Sequence, residues 1–201
     1  MDQDSGLRER LIDVGVELVT SEGTAALGLR EIARRAGVSH GAPRRYFATH
    51  HALLSAIARR GFEELDSRIP AAMAGPGADD PRGQVRALGR AYVGYALEHR
   101  GMFELMFRHD LLDGSGQDGP PQARLRDSTL PLFELLVSLV ARCGTAEAPR
   151  ITAAAYWANL HGVAQLWAWG RLPLVLDGDP EASVDRVVDA ALDAHLPVRR
   201  P

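Results

Sequence analysis

Residues 27–54 read LGLREIARRAGVSHGAPRRYFATHHALL, and this stretch decides the fold. Ile32, Ala33, Ala36 and Val38 supply the apolar contacts of a short helix and its turn, while Arg and His crowd the positions between and after them. Gly37 falls where the chain must bend sharply, and glycine bends without steric cost. Ser39 is the expected N-cap of the next helix, its hydroxyl accepting from a backbone N–H two or three residues on. A small rigid helix with donors on its outer face is what reading a DNA major groove requires. DNA binding is therefore the leading expectation.

Charge agrees once it is counted locally. The whole chain carries −3, which argues against a general nucleic-acid coat. Residues 30–60 hold Arg30, Arg34, Arg35, Arg44, Arg45, Arg59 and Arg60 against Glu31 alone, seven minus one or +6. Residues 61–201 hold fourteen Arg against nineteen acids, or −5. A basic end on an acidic body is the footprint of a protein that docks one face on phosphates.

At these residues the chain resembles the TetR family of bacterial transcriptional regulators. The matching elements are Arg30-Glu31-Ile32-Ala33, Ala36-Gly37-Val38-Ser39, the Tyr46-Phe47 pair and Ala52-Leu53-Leu54. Ile12, Leu18, Val19 and Gly23 fall where the family's first helix and its terminating glycine would fall. Far downstream, Trp157-Ala158-Asn159-Leu160-His161-Gly162 is similar to the Trp…His-Gly signature of one TetR subgroup's C-terminal domain. The resemblance implies DNA contacts from Arg30, Ser39, His40, Gly41, Arg44, Arg45, Tyr46 and His50. Within that set, Arg30, His40 and Arg45 are placed nearest base edges, and Arg44, Tyr46 and His50 on phosphates.

The chain also departs from the family pattern. Arg44 stands where many members carry Tyr, and a guanidinium suits phosphate at least as well as a phenol. His50 stands where many carry Lys and is largely uncharged at neutral pH. Gly28 takes the usual Ser or Thr cap position of the second helix, at a cost of only a few tenths of a kcal/mol, roughly. Pro43 would fall near the fourth position of a helix capped by Ser39, so an irregular first turn is expected there.

Composition sets the outer bounds. With 46% hydrophobic residues the chain can form a packed core. Cys143 is the single cysteine, which excludes an internal disulfide framework and fits a reducing cytoplasm. The N-terminus MDQDSG lacks the apolar run of a signal peptide. The apolar stretch 153–169 is too short for a membrane span and carries Asn159, His161 and Gln165. No membrane partner is expected, and the protein is placed in the cytoplasm.

Helical periodicity dominates the chain, giving an all-α fold of about nine helices. Leu7, Leu11, Val14 and Leu18 step along a first helix that ends at Gly23. A long helix is expected from about 49 to 69, broken by Pro70. Asp80-Pro81 is a good cap and first-turn pair for the next helix, running to Gly101. A short helix at 102–112, a loop at 114–121 and a helix from about 121 to 142, kinked at Pro131, follow. The tryptophan-rich helix runs to about 170, and the last begins near Pro180. The expected organisation is a helix-turn-helix head over 1–54 and a helical effector-binding and dimerisation body over 55–201.

Helix-turn-helix proteins usually read two half-sites, so a homodimer is expected. In the family the final two helices build the dimer interface. Here Ala158 and Gly162 permit close helix approach, and Val184, Val188, Ala191 and Leu192 form an apolar stripe at helical spacing. A small-molecule effector is expected in the body, among Tyr92, Phe103, Met106, Phe107, Trp157, His161 and Trp167, since aromatic and Met side chains around a helical core can line a cavity. The competing readings are plain core packing for those aromatics and the same packing for the stripe. His161 on an apolar face can equally be a hydrogen-bonded core residue beside Trp157.

An enzyme of the metal-dependent helical phosphohydrolase type would draw on His109-Asp110 with His99 and His161. No His-x-x-x-His spacing, phosphate-binding glycine loop or nucleophile elbow accompanies them, so no enzyme, metal or cofactor is expected. The functional expectation is a ligand-responsive regulator, a repressor, that binds a pseudo-palindromic double-stranded DNA operator. A small apolar or amphipathic effector would release it. A constitutive DNA-binding dimer without effector is the alternative.

Overall fold

Apolar residues recurring at helical rather than alternating spacing leave the chain little option but helices. The computed structural model describes residues 2–75, 79–108, 112, 126–144, 148–176 and 179–197. Among these there are nine α-helices, two 3-10 turns and no strand. In order they are α1 (Asp2–Glu22), a 3-10 turn (Thr24–Ala26), α2 (Leu29–Arg35), a second 3-10 turn (Ala42–Arg45), α3 (His50–Met73), α4 (Pro81–Glu98), α5 (Arg100–Met106), α6 (Arg126–Arg142), α7 (Pro149–Ala168), α8 (Leu172–Val175) and α9 (Pro180–His195).

Several ends follow from identifiable residues. α1 closes where the Gly23 N–H bonds the Val19 carbonyl at 3.2 Å. The α2 turn passes through Gly37 at φ +69, a left-handed conformation that side-chain-bearing residues rarely adopt. Thr49 caps α3, its Oγ1 accepting the Ala52 N–H at 3.0 Å. Asp80 caps α4 through Oδ2, which accepts the Gly83 N–H at 2.9 Å.

Pro70 does not end α3 as expected. The helix continues to Met73, because a proline removes one N–H donor and leaves its own carbonyl usable. That carbonyl accepts the Ala74 N–H at 3.1 Å. Pro131 likewise lies inside α6. α4 stops at Glu98 rather than Gly101, and α5 starts earlier than expected, at Arg100. The short α8 was not legible in the sequence pattern. The 114–121 loop, the 121–125 start of the helix expected from about 121 to 142, and His109-Asp110 lie outside the described residues.

The described residues divide into two compact units, one within Met1–Glu64 and His99–Thr129, the other within Leu65–Glu98 and Leu130–Pro201. Their boundary cuts α3 at Glu64, ten residues beyond the 54/55 boundary drawn from sequence. In the first unit α1 packs on α2 and α5. Leu11, Leu18, Val19, Ile32, Ala33, Leu53, Leu54 and Ile57 are buried there. In the second, α4, α7 and α9 pack pairwise around Val85, Val93, Ala153, Tyr156, Leu160, Val188 and Leu192.

Candidate functional site

In the first unit, α2 and the Ala42–Arg45 turn carry the residues expected to meet DNA. The second element of the motif is a single 3-10 turn rather than an α-helix. Ser39 does not cap it by its side chain: the turn's N-cap is Gly41, and no side-chain cap bond is made. The Ser39 carbonyl accepts the Ala42 N–H at 2.9 Å instead. Pro43 explains the shift. A proline cannot donate, so it is best tolerated in a first turn. Starting the turn at Ala42 puts Pro43 there, buried, rather than at a fourth position.

Arg30, Ser39, His40, Gly41, Arg44 and Arg45 are all exposed, and Tyr46 is half-buried. Gly28 caps α2 with an extended backbone (φ −67°, ψ 135°) and no side-chain bond. His50 is half-buried. Its Nε2–H donates to the Leu27 carbonyl at 2.6 Å, tying the start of α3 to the segment before α2.

The dense run of arginines proves to be sorted by ion pairing. Arg34 makes a bidentate bond to Glu31, through Nε at 2.8 Å and Nη2 at 2.6 Å. Arg35 donates from Nε to the same carboxylate at 2.8 Å and from Nη2 to Glu22 on α1. These guanidiniums, Arg34 first, hold the Glu31 carboxyl well below the usual range, at about 2. Arg60 pairs with Glu9, and at 3.8 Å with Glu63. Arg30, Arg44 and Arg45 form no ion pair with a described residue. The +6 counted along residues 30–60 is thus partly neutralised by acids from α1 and α3 that local counting omits.

The residues expected to meet an effector are distributed over both units. Phe103, Met106 and Phe107 belong to the first unit, and Tyr92, Trp157, His161 and Trp167 to the second. In the first, the Phe107 ring lies 4.9 Å from Phe103 and 5.7 Å edge-on from Phe62. There Gly61 lets α3 approach α5: a Cβ would meet Met102 Cγ and Met106 Sδ at 2.7 Å.

In the second unit, Tyr92 on α4 joins two residues of α7. The Trp157 Nε1–H donates to the Tyr92 hydroxyl at 3.2 Å, and that hydroxyl lies 2.9 Å from His161 Nδ1. Burial lowers the His161 pKa, which favours neutral imidazole. In the neutral ring Nδ1 either accepts from the tyrosine hydroxyl or donates to it, according to the tautomer. Burial also raises the Tyr92 pKa. Phe133 lies edge-on to Trp157 at 6.2 Å. Trp167 is buried, whereas Trp157 is 39% exposed.

The α9 stripe requires a correction. Val188 and Leu192 are fully buried and Ala191 nearly so, inside their own unit against α4 and α7. Only Val184 is half-buried. Helical spacing fixes that a face is buried but not against what, and here the protomer's own core takes it. Ala158 is exposed on α7, and at Gly162 an added Cβ would meet nothing within 4 Å. The same helix and its C-terminal turn expose Ile151 at 70%, Leu166 at 40% and Trp169 at 66%.

Sequence reading also missed Glu31 as the clamp on Arg34 and Arg35, though its i,i+3 and i,i+4 spacing to them was visible. Among the described residues no group of three His, Cys, Asp or Glu could hold a metal ion. No described helix is long and apolar enough to cross a membrane.

Residues 11–57 match the tetR family of bacterial regulatory proteins, and residues 85–191 match the tetracyclin repressor-like C-terminal domain. An HTH-type transcriptional regulator of Xanthobacter autotrophicus is 33% identical over 90 residues, 45% of each chain. The match thus spans under half the length of that relative. Over 94% of this chain and 93% of its own, a protein from Rhodococcus sp. RHA1 superposes with a TM-score of 0.71 and 32% identity. The multidrug binding protein EbrR, solved with imidazole, does so over 96% of both chains with a TM-score of 0.59 and 26% identity.

Proposed function

Because this chain belongs to the TetR family of bacterial transcriptional regulators, we propose that it is a ligand-responsive repressor. In this reading it binds a pseudo-palindromic operator as a homodimer and is released by a small apolar or amphipathic molecule. The family is not enzymatic, so the phosphohydrolase alternative is set aside. The observation that carries the reading is the trio Arg30, Arg44 and Arg45. They are exposed on α2 and the turn after it, without ion pairs to described residues, whereas the neighbouring Arg34 and Arg35 are paired with Glu31 and Glu22.

Dimerisation draws support from the face of α7 that the described residues leave uncovered, with Ala158 and Gly162 at its centre and Ile151 and Leu166 beside them. Effector binding draws support from the aromatic clusters of both units and from the likeness to a protein described as multidrug binding. A relieving ligand acts by binding the DNA-free conformation better, and by linkage DNA weakens the ligand to the same degree.

Selection of sequences from a random duplex pool by purified protein tests the DNA reading: enrichment of a two-fold-symmetric site supports it. Titrating compounds that raise the melting temperature against the selected site tests the sensor reading. If none of them weakens binding, the protein is a constitutive DNA binder.

A further inference from the structure

Arg30 and Arg34 stand four residues apart on α2, one turn along the same stripe of the helix. A surface that presents Arg30 to DNA therefore brings Arg34 alongside it, and the Arg34 side chain is 65% exposed. Sequence-independent attraction to DNA grows with the number of phosphates that cations neutralise, so another free arginine would raise affinity for all DNA equally. Such phosphate contacts carry no sequence information directly; base edges and DNA shape supply it. The number of free cations on a docking face therefore sets how tightly the protein holds any duplex and how steeply salt weakens it.

We propose that Glu31 limits sequence-independent DNA affinity, holding Arg34 and Arg35 away from phosphate so that fewer cations contribute to binding any duplex. The geometry suits that task. Glu31 grips Arg34 by two bonds and Arg35 by a third, and Glu22 on α1 draws Arg35 away from the other side. For Arg34 to reach a phosphate it must leave a bidentate partner, and it would leave a carboxylate facing the DNA's own negative charge. With its pKa held at about 2, Glu31 stays ionised across the whole range in which DNA binding is measured.

The inference rests on the DNA-binding reading, and the test separates the two. Binding to a random-sequence duplex of about three helical turns is titrated over a series of salt concentrations, using full-length protein. Glu31→Gln is expected to bind this duplex about three- to tenfold more tightly and to steepen the fall of log K with log salt by about one unit. Adding Arg34→Ala to Glu31→Gln is expected to restore the wild-type slope. Arg34→Ala alone is expected to lose far less affinity than Arg44→Ala, because its charge is already neutralised. Unchanged affinity and slope in folded Glu31→Gln overturn the inference. So does an Arg34→Ala loss as large as that of Arg44→Ala, a readout that needs no change at Glu31. Binding by the wild type that shows no salt dependence would overturn the DNA reading itself, and this inference with it.

Discussion

Gly89 on α4 lies directly beneath the hydroxyl of Tyr156 on α7, so that a Cβ at position 89 would collide with the phenolic oxygen. The same Cβ would stand 3.3 Å from Tyr156 Cζ and Val188 Cγ1. Tyr156 is fully buried and its hydroxyl has no hydrogen-bond partner among the described residues. Burial accordingly raises its pKa. A buried donor left unpaired costs about 1–3 kcal/mol.

Tyr156→Phe is therefore expected to leave the second unit at least as stable, with a gain of up to about 1 kcal/mol in urea or thermal unfolding. Gly89→Ala should destabilise by about 1–3 kcal/mol through overpacking. In the Tyr156→Phe background most of that loss should disappear, because the colliding atom is gone and alanine is the better helix former. Equal destabilisation in both backgrounds would show that the hydroxyl is not what keeps residue 89 a glycine.

Burial of His161 gives the second unit a pH dependence of definite sign. His161 has its pKa lowered by burial from an ordinary 6.5. As pH falls through that value the unfolded chain takes up a proton that the folded protein resists. Stability is thus full above the unfolded pKa, declines as pH drops toward the folded pKa, and levels off below it. His161→Asn should flatten this part of the Tm profile relative to wild type. Parallel profiles for the two proteins would remove His161 from the account.

Tyr92→Phe deletes the oxygen that both the Trp157 Nε1–H and His161 Nδ1 use. A loss of about 1–3 kcal/mol in unfolding free energy is expected. Indole fluorescence of the half-exposed Trp157 should shift with it. No change in either would mean the three side chains are not coupled.

Much of this architecture was legible in the sequence. Four-and-three spacing of Leu7, Leu11, Val14 and Leu18 marked α1, and Asp80-Pro81 marked the start of α4, because both signals are local. The misses came where distant partners decide. Pro43 moved the start of the recognition turn from Ser39 to Gly41, a competition between a favourable cap and a residue that cannot donate. The α9 stripe was correctly apolar, but Val188 and Leu192 found their partner in α4 and α7 of the same chain. The local count of +6 could not register Glu22 and Glu9, which fold back onto Arg35 and Arg60.

That correction changes which substitutions probe dimerisation. Leu192→Asp would bury an unpaired carboxylate in the protomer core and is expected to cost about 3 kcal/mol or more, unfolding the second unit rather than separating subunits. Ala158→Arg, on the exposed face of α7, should instead leave helicity and Tm of the protomer close to wild type while producing monomers in light scattering. Wild-type protein that is monomeric at micromolar concentration, or an Ala158→Arg variant that stays fully dimeric, would remove α7 from the interface.

The central claim is that Arg30, Arg44 and Arg45 dock this protein on DNA, and salt-dependent binding to a selected operator tests it most directly. Log K is expected to fall linearly with log salt. Arg44→Ala should lower affinity for every sequence and flatten the slope by about one unit, while Arg30→Ala should cost about 1–3 kcal/mol of discrimination at one base pair. Enrichment of no sequence, or a slope and selectivity that neither substitution alters, would contradict it.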